Sequence, residues 1–110
     1  MKSAGTQMRS YCYTLDCASA IIAVLLGGER GNVYNISNRN SIVSIRELAE
    51  EMAVQGGVRV VFDNPSDAEQ KSYNMMNNSA LDASKLEKLG WKALFGLREG
   101  AARTLRYYEP

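Results

Sequence analysis

The stretch RSYCYTLDCASAIIAVLL, from Arg9 to Leu26, joins an aromatic-rich segment to the longest apolar run of the chain. Alternating side chains predict a short strand over residues 8–14. Asp16 is predicted to cap the helix that follows, Cys17–Leu26, because its carboxylate can accept the free amide hydrogens of a first turn. This helix is apolar on nearly every side, whereas a surface helix shows an apolar stripe. We therefore expect other elements to cover it.

The next three elements continue the alternation of strand and helix. VYNIS, Val33–Ser37, is rich in strand-forming residues and predicts a second strand. Ser44 and Glu47 match a capping box, and the apolar residues that follow at steps of three and four predict a helix ending at a glycine pair. VRVVF, Val58–Phe62, then predicts a third strand. Asn35 is expected to close the second strand rather than to bind a ligand.

A polar, irregular segment separates these elements from the end of the chain. It runs from Asp63 to Ala80, and loops of this length in small domains are usually functional or poorly ordered. Met75 and Met76 within it are expected to pack in the loop, with the lining of a substrate pocket as the alternative, because methionine is flexible and apolar.

The C-terminal part of the chain predicts two helices. Asp82 is a suitable cap for a short helix, and Gly90 stands where a left-handed residue ends such a helix. Trp91 is expected to fold back on Leu86 in the accompanying apolar contact. The last helix is predicted over Leu97–Tyr108. The order strand, helix, strand, helix, strand, helix, helix indicates an α/β fold.

Length and charge limit the class of protein. The 110 residues suit one domain, and 13 basic against 12 acidic side chains give a net charge of +1, so we expect no nucleic-acid partner. The apolar run is too short to span a bilayer and no signal peptide precedes it, so we expect no membrane contact and a cytoplasmic location. Cys12 and Cys17 fit a reducing compartment, and their spacing lacks the further ligands of a zinc site, so we expect no metal.

The sequence lacks the residues of the common catalytic classes. Because the chain has no histidine, serine–histidine and cysteine–histidine arrangements are impossible. No tyrosine is followed four positions later by lysine. No glycine cluster follows a predicted strand at the spacing that lets backbone amides reach a pyrophosphate. We therefore expect no catalytic residue and no cofactor-binding residue in this chain alone.

Four segments of the chain match, in order, the motifs of a known family. They read GTQMRSYCYTLDCASAIIAVL, GNVYNISNRNSIVSIRELAEEMA, LDASKLEKLGWKA and GLREGAARTLRYY. Together they resemble the C-terminal part of the extended short-chain dehydrogenases, the NAD-dependent nucleotide-sugar epimerases and dehydratases. The match runs from Gly5 to Tyr108.

The resemblance implies the fold of a fragment. Residues 1–110 would form the C-terminal substrate-binding portion of a Rossmann-type extended short-chain dehydrogenase, with the dinucleotide-binding core missing. In the family the glycine-rich loop and the Tyr-x-x-x-Lys pair lie upstream, so NAD would bind to the parent enzyme. That parent would be of the UDP-glucose 4-epimerase or dTDP-glucose 4,6-dehydratase type. Met1 would then be the start of a truncated gene product or of a cloned fragment.

The resemblance also implies two substrate-binding residues. Arg9 matches the family arginine that contacts the diphosphate of the nucleotide-sugar, a role that suits the parallel donors of a guanidinium. Counting back from Asp82 without gaps to the family's second phosphate-contacting arginine gives Lys71. A surface arginine and a solvated lysine are the alternatives. Ser10 and Thr14 depart from the family pattern, which leaves the sugar undefined.

Three functional hypotheses follow. The first is a nucleotide-sugar epimerase or dehydratase fragment that is inactive alone. The second is a non-catalytic interaction module that dimerises through its apolar first helix, and the third is a nucleotide-binding module that retains binding through Arg9. Because loss of the upstream sheet would expose apolar surface, we also expect a homodimer or a strand-exchanged oligomer in isolation.

Overall fold

The computed structural model of the chain describes residues 1–73 and 76–108. Two short strands, β1 (Met8–Ser10) and β2 (Ile42–Ser44), form an antiparallel pair. Around them lie the helices α1 (Thr14–Gly27), α2 (Ile45–Gln55), α3 (Asp67–Lys71), α4 (Ser84–Glu87) and α5 (Leu97–Tyr108). A single 3-10 turn, Arg39–Ser41, precedes β2 in this part of the chain. The architecture is therefore mixed α/β, as predicted.

The core lies where α1 meets α4 and the turn after it. Ala20 and Leu86 are fully buried and pack with Trp91, as predicted for the tryptophan. Gly90 has a φ of +90°, which confirms the left-handed turn after α4, a conformation that glycine adopts without a Cβ penalty. The indole Nε1 of Trp91 donates to Ser19 Oγ at 2.9 Å. This bond fixes the turn against α1.

The helix α2 begins where the sequence predicts it. Ser44 is both the last residue of β2 and the N-cap, and its hydroxyl accepts from the backbone amide of Glu47 at 3.1 Å. The Glu47 carboxylate in turn accepts from the Ser44 amide at 2.6 Å. The two residues therefore form the capping box that their spacing indicates. The apolar side of α2 packs against α5, with Ala53 and Ala101 buried.

Three predicted strands differ from the structure. The first spans Met8–Ser10 rather than residues 8–14, and residues 33–37 and 58–62 are not strands. Tyr34 and Ile36 instead pack against the core cluster. Strand-forming side chains give a strand where a neighbouring strand completes the ladder, and within the described residues no such ladder reaches these two segments.

The loop predicted over Asp63–Ala80 contains the short helix α3. Ser66 caps it, since its hydroxyl accepts from the Glu69 amide at 3.4 Å while the Glu69 carboxylate accepts from the Ser66 amide at 2.8 Å. This second capping box, Ser66-x-x-Glu69, is visible in the sequence. The predicted packing of Met75 lies outside the described residues.

The helix α1 is longer than predicted and remains largely uncovered. It begins at Thr14 with Tyr13 as N-cap, so the prediction that Asp16 caps it is wrong. Large apolar side chains are exposed along it, and Leu25 and Leu26 are 81% and 82% exposed. We call this surface the α1 face; it consists of Leu15, Ile21, Ile22, Leu25 and Leu26. The described part of the chain does not supply the cover that the sequence requires.

Candidate functional site

Arg9 lies on β1, which has β2 on one side and residues 77–79 on the other; we call this arrangement the Arg9 edge. Arg9 occupies the middle of β1, where its partner across the ladder is Val43 of β2. On the other side of β1, Met8 bridges Asn78 in parallel orientation. The Met8 amide donates to Asn77 O at 2.8 Å, and the Ser79 amide donates to Met8 O at 3.2 Å. Backbone bonds on both sides therefore hold β1, the strand that carries Arg9.

The Arg9 guanidinium is bonded to backbone oxygens. Its Nη1 donates to Met8 O at 2.7 Å and to Met76 O at 3.2 Å. Within residues 1–73 and 76–108 no carboxylate forms an ion pair with it, and its Nε and Nη2 make no hydrogen bond. The side chain is partly exposed. Its charge and two of its donor atoms are therefore available to an anion.

Lys71, the second predicted substrate contact, is the last residue of α3. Its side chain is exposed, and in the described part of the chain it makes no hydrogen bond or ion pair with another residue. The N-terminal segment holds α3 in place, since Lys2 Nζ lies 3.4 Å from Glu69 Oε1 and Tyr73 OH donates to Lys2 O at 2.8 Å. No described contact joins Lys71 to Arg9, and the roles of both residues stay predictions.

Asp16 fixes the segment between α4 and α5 instead of capping α1. The residue is 1% exposed, and its Oδ1 and Oδ2 accept from the backbone amides of Leu94 and Phe95 at 2.9 and 3.0 Å. Both carboxylate oxygens are thus used by an element far away in sequence. An aspartate on a helix that is otherwise apolar was the sequence signal for such a buried acceptor.

Asn38 is a second bridging residue that sequence reasoning missed. Its side-chain amide donates to Phe95 O at 2.9 Å, and its Oδ1 accepts from the Asn40 amide at 2.9 Å. Like Asp16, it is buried and bonds to the segment that leads into α5. The loop SNRNS was a turn signal without any indication of this partner.

Two groups beside β1 have raised pKa values. Burial raises the pKa of Cys12 to about 12, with further increases from its hydrogen bond with Cys17 and from the charges of Cys17 and Asp16. Burial also raises the pKa of Tyr11, although the Arg9 charge acts in the opposite direction. A thiol with a raised pKa is a poor nucleophile because the thiolate is the reactive form.

The carboxylates with lowered pKa values are at helix starts. Hydrogen bonds from Ser44 lower the pKa of Glu47, and those from Ser66 lower that of Glu69. Bonds from Ser84 likewise lower the pKa of Asp82. The N-cap of α4 is Ala83, so the prediction that Asp82 is the cap is wrong; Asp82 accepts the Ser84 amide from one residue before it. In the described ranges no group of three or more histidine, cysteine, aspartate or glutamate side chains could hold a metal ion. Glu47, Glu69 and Asp82 therefore stabilise the first turns of their helices.

A helix long and apolar enough to cross a membrane is not found in the part of the chain that the structure describes.

Known proteins resemble this chain in sequence. No family model matches it. The dTDP-D-glucose 4,6-dehydratase of Mus musculus is 29% identical over 112 residues, which cover 94% of this chain and 30% of that protein. This chain therefore spans about a third of the length of such relatives.

Solved structures resemble it in fold. DesIV, the dTDP-glucose 4,6-dehydratase of Streptomyces venezuelae with NAD and TYD bound, matches with a TM-score of 0.77 and 27% identity over 96% of this chain and 32% of its own. UDP-glucose 4-epimerase of Thermotoga maritima with UDP-glucose has a TM-score of 0.78 and 24% identity, over 98% and 33% of the two chains. The predicted resemblance is thereby confirmed: the relatives and structural neighbours of this chain are extended short-chain dehydrogenases, and it has the fold of one part of them.

Proposed function

We propose that residues 1–110 are the C-terminal substrate-binding part of an NAD-dependent nucleotide-sugar epimerase or dehydratase, inactive alone, and that Arg9 binds the diphosphate of the nucleotide-sugar. The observation that carries the proposal is the state of Arg9. The strand that carries it lies between two neighbouring segments, and its guanidinium has unused donors and no neutralising carboxylate among the described residues. A guanidinium held in this way suits a phosphate oxygen pair.

Lys71 is the second proposed contact. It follows the capped helix α3, which the N-terminal segment holds, and the segment from Met76 to Ser79 then runs beside β1. The chain thus returns to the edge that carries Arg9 within a few residues of Lys71. A flexible lysine can reach a phosphate as a point charge, without the bidentate geometry of arginine.

We assign no NAD contact to this chain. A pyrophosphate-binding loop needs glycines between a strand and the helix that follows. In the structure, α2 follows β2 directly at Ser44, and Tyr11, Cys12 and Tyr13 connect β1 to α1. These residues do not fit the pyrophosphate of a dinucleotide. Nicotinamide chemistry in a parent enzyme would come from its other segments.

The binding of UDP and dTDP to the full chain tests the proposal by isothermal titration calorimetry. Replacing Arg9 by alanine should weaken binding by roughly tenfold or more, because a charge-assisted hydrogen bond contributes about 1.5–3 kcal/mol. Lys71→Ala should weaken it less. Arg30→Ala is the matched control, since Arg30 is exposed and has no partner among the described residues. Equal affinities of Arg9→Ala and the unmodified chain would disprove the role of Arg9.

Self-association is a second candidate function, and the α1 face favours it. Leu15, Ile21, Ile22, Leu25 and Leu26 are all more than half exposed, and contiguous apolar surface of this kind marks interaction sites. In a parent enzyme other segments would cover it. In the isolated chain we propose a homodimer, with strand exchange as the other form.

We also propose a cytoplasmic location. The two cysteines, Cys12 and Cys17, are free and form no disulfide framework, which suits a reducing compartment. Fractionation of the source cells would test this, and recovery outside the cytoplasm would contradict it.

A further inference from the structure

A polar cavity lies on the chain apart from the Arg9 edge. It has a volume of about 320 Å³ and is lined by Ser37, Asn38, Arg39, Asn40, Glu87, Lys92 and Ala93. Neither Arg9 nor Lys71 lines it. A cavity of this size is at the lower end of the range for small-molecule sites.

The side chains at the mouth of this cavity give it a net positive charge. Arg39 is held by Glu87: its Nε donates to Glu87 Oε1 at 2.8 Å and its Nη2 donates to Oε2. This pair fixes the guanidinium in one orientation. Lys92 makes no hydrogen bond or ion pair within residues 1–73 and 76–108. With two cations and one carboxylate, the lining carries one uncompensated positive charge at neutral pH.

Ser37 supplies a second, independent indication of a ligand. The residue is 1% exposed, and its Oγ is a buried side-chain oxygen without a hydrogen-bond partner in the described part of the chain. Leaving such a group unpaired costs about 1–3 kcal/mol, so natural proteins rarely keep one without a reason. Because Ser37 lines the cavity, its unpaired hydroxyl is a candidate donor to a ligand seated there.

We propose that this cavity binds a phosphate group, either as inorganic phosphate or as part of a small phosphorylated metabolite. Lys92 supplies the uncompensated charge, Arg39 the oriented guanidinium and Ser37 a hydroxyl donor. The three donors match an oxyanion, which accepts several charge-assisted hydrogen bonds at once. The remaining volume leaves room for the organic part of a phosphate ester. This site is separate from the diphosphate contact proposed for Arg9.

The experiment titrates the full chain with inorganic phosphate, with glucose 1-phosphate and with glucose by isothermal titration calorimetry. We expect saturable binding at one site for both phosphates and none for glucose; tighter binding of the ester would identify a metabolite as the source. Lys92→Gln and Ser37→Ala should each weaken binding by about tenfold or more. Lys88→Gln makes the same charge change outside the cavity and should leave the affinity unchanged.

Three results would overturn the proposal. The first is the absence of saturable phosphate binding. The second is an equal loss in Lys88→Gln and Lys92→Gln, which would show a general charge effect. The third is loss of phosphate binding in Arg9→Ala, which would place the ligand at the other site. Since Lys92 is exposed, its variant tests the proposal even if Ser37→Ala disturbs the fold. Loss of nucleotide binding in Arg9→Ala alone leaves this cavity unaffected.

Discussion

The carboxylate of Asp16 accepts the backbone amide of Phe95 at 3.0 Å, across 79 residues of sequence. The same carboxylate accepts from Leu94, so one buried side chain joins the first turn of α1 to the segment that leads into α5. The backbone amides of Leu94 and Phe95 both donate to this carboxylate. These bonds therefore attach the N-terminal end of α1, the helix that carries the α1 face, to the segment before α5.

Replacing Asp16 by asparagine should lower the free energy of unfolding by about 3 kcal/mol, because one amide loses its acceptor and meets an NH₂ donor instead. Urea denaturation followed by circular dichroism measures the change. Glu50→Gln is the matched control, since Glu50 is exposed on α2 and should change stability by no more than about 0.5 kcal/mol. Similar losses in both variants would show that the Asp16 bonds contribute little.

Replacing Leu86 by alanine should destabilise the chain by about 2–5 kcal/mol, because it removes a fully buried side chain and leaves a cavity beside Trp91. Leu94→Ala is the comparison, since Leu94 is 77% exposed. Chemical denaturation of both variants gives the difference. A loss below about 1 kcal/mol for Leu86→Ala would mean that the site collapses around the change.

The pKa of Glu47 is expected to depend on the hydroxyl of its capping residue, Ser44. Hydrogen bonds from Ser44 lower this pKa in the folded chain, so the stabilisation is present above the unfolded-state pKa and is lost as the pH falls through the folded-state value. Ser44→Ala should therefore raise the pKa of Glu47 and reduce the loss of stability on acidification. Carboxyl-carbon NMR titration measures it.

The second capping box provides the control for that titration. Ser66→Ala should raise the pKa of Glu69 and leave the pKa of Glu47 unchanged, because Ser66 bonds to Glu69 and not to Glu47. A shift of Glu47 in the Ser66 variant would contradict the local origin of the lowered pKa.

Association through the α1 face predicts an effect of charge on its most exposed residues. Leu25→Glu should shift the chain toward the monomer in sedimentation velocity, because a carboxylate in an apolar interface loses its hydration without gaining a partner. Leu94→Glu places the same charge on a comparably exposed residue outside the α1 face and should keep the assembly. A concentration-independent monomer for the unmodified chain would contradict association altogether.

Several elements were predictable because their signals are local. The helix α2 follows from Ser44, Glu47 and the apolar spacing behind them, and Leu97–Tyr108 is α5 as predicted. Gly90 ends its turn with a positive φ because the residue itself permits that conformation. The role of Asp16 was not predictable, since both of its partners lie in another segment of the chain.

The candidate site, too, was predictable from the sequence only in part. The resemblance singled out Arg9 and Lys71 from motif positions, but neither the backbone bonds beside Arg9 nor the burial of Ser37 follows from the residues near them in sequence. The cavity at Ser37 needs Glu87 and Lys92 from the C-terminal part of the chain. Burial and the partner of a polar group depend on residues that only folding brings together.

By itself the sequence determined the capping box of α2, the extent of α5, the glycine turn and the family resemblance, because each depends on side chains a few residues apart or on motif order. Tertiary structure alone decided which strand patterns became strands, which backbone amides donate to Asp16, and that the α1 face stays exposed. A strand needs a ladder partner and a buried carboxylate needs donors, and both come from distant segments.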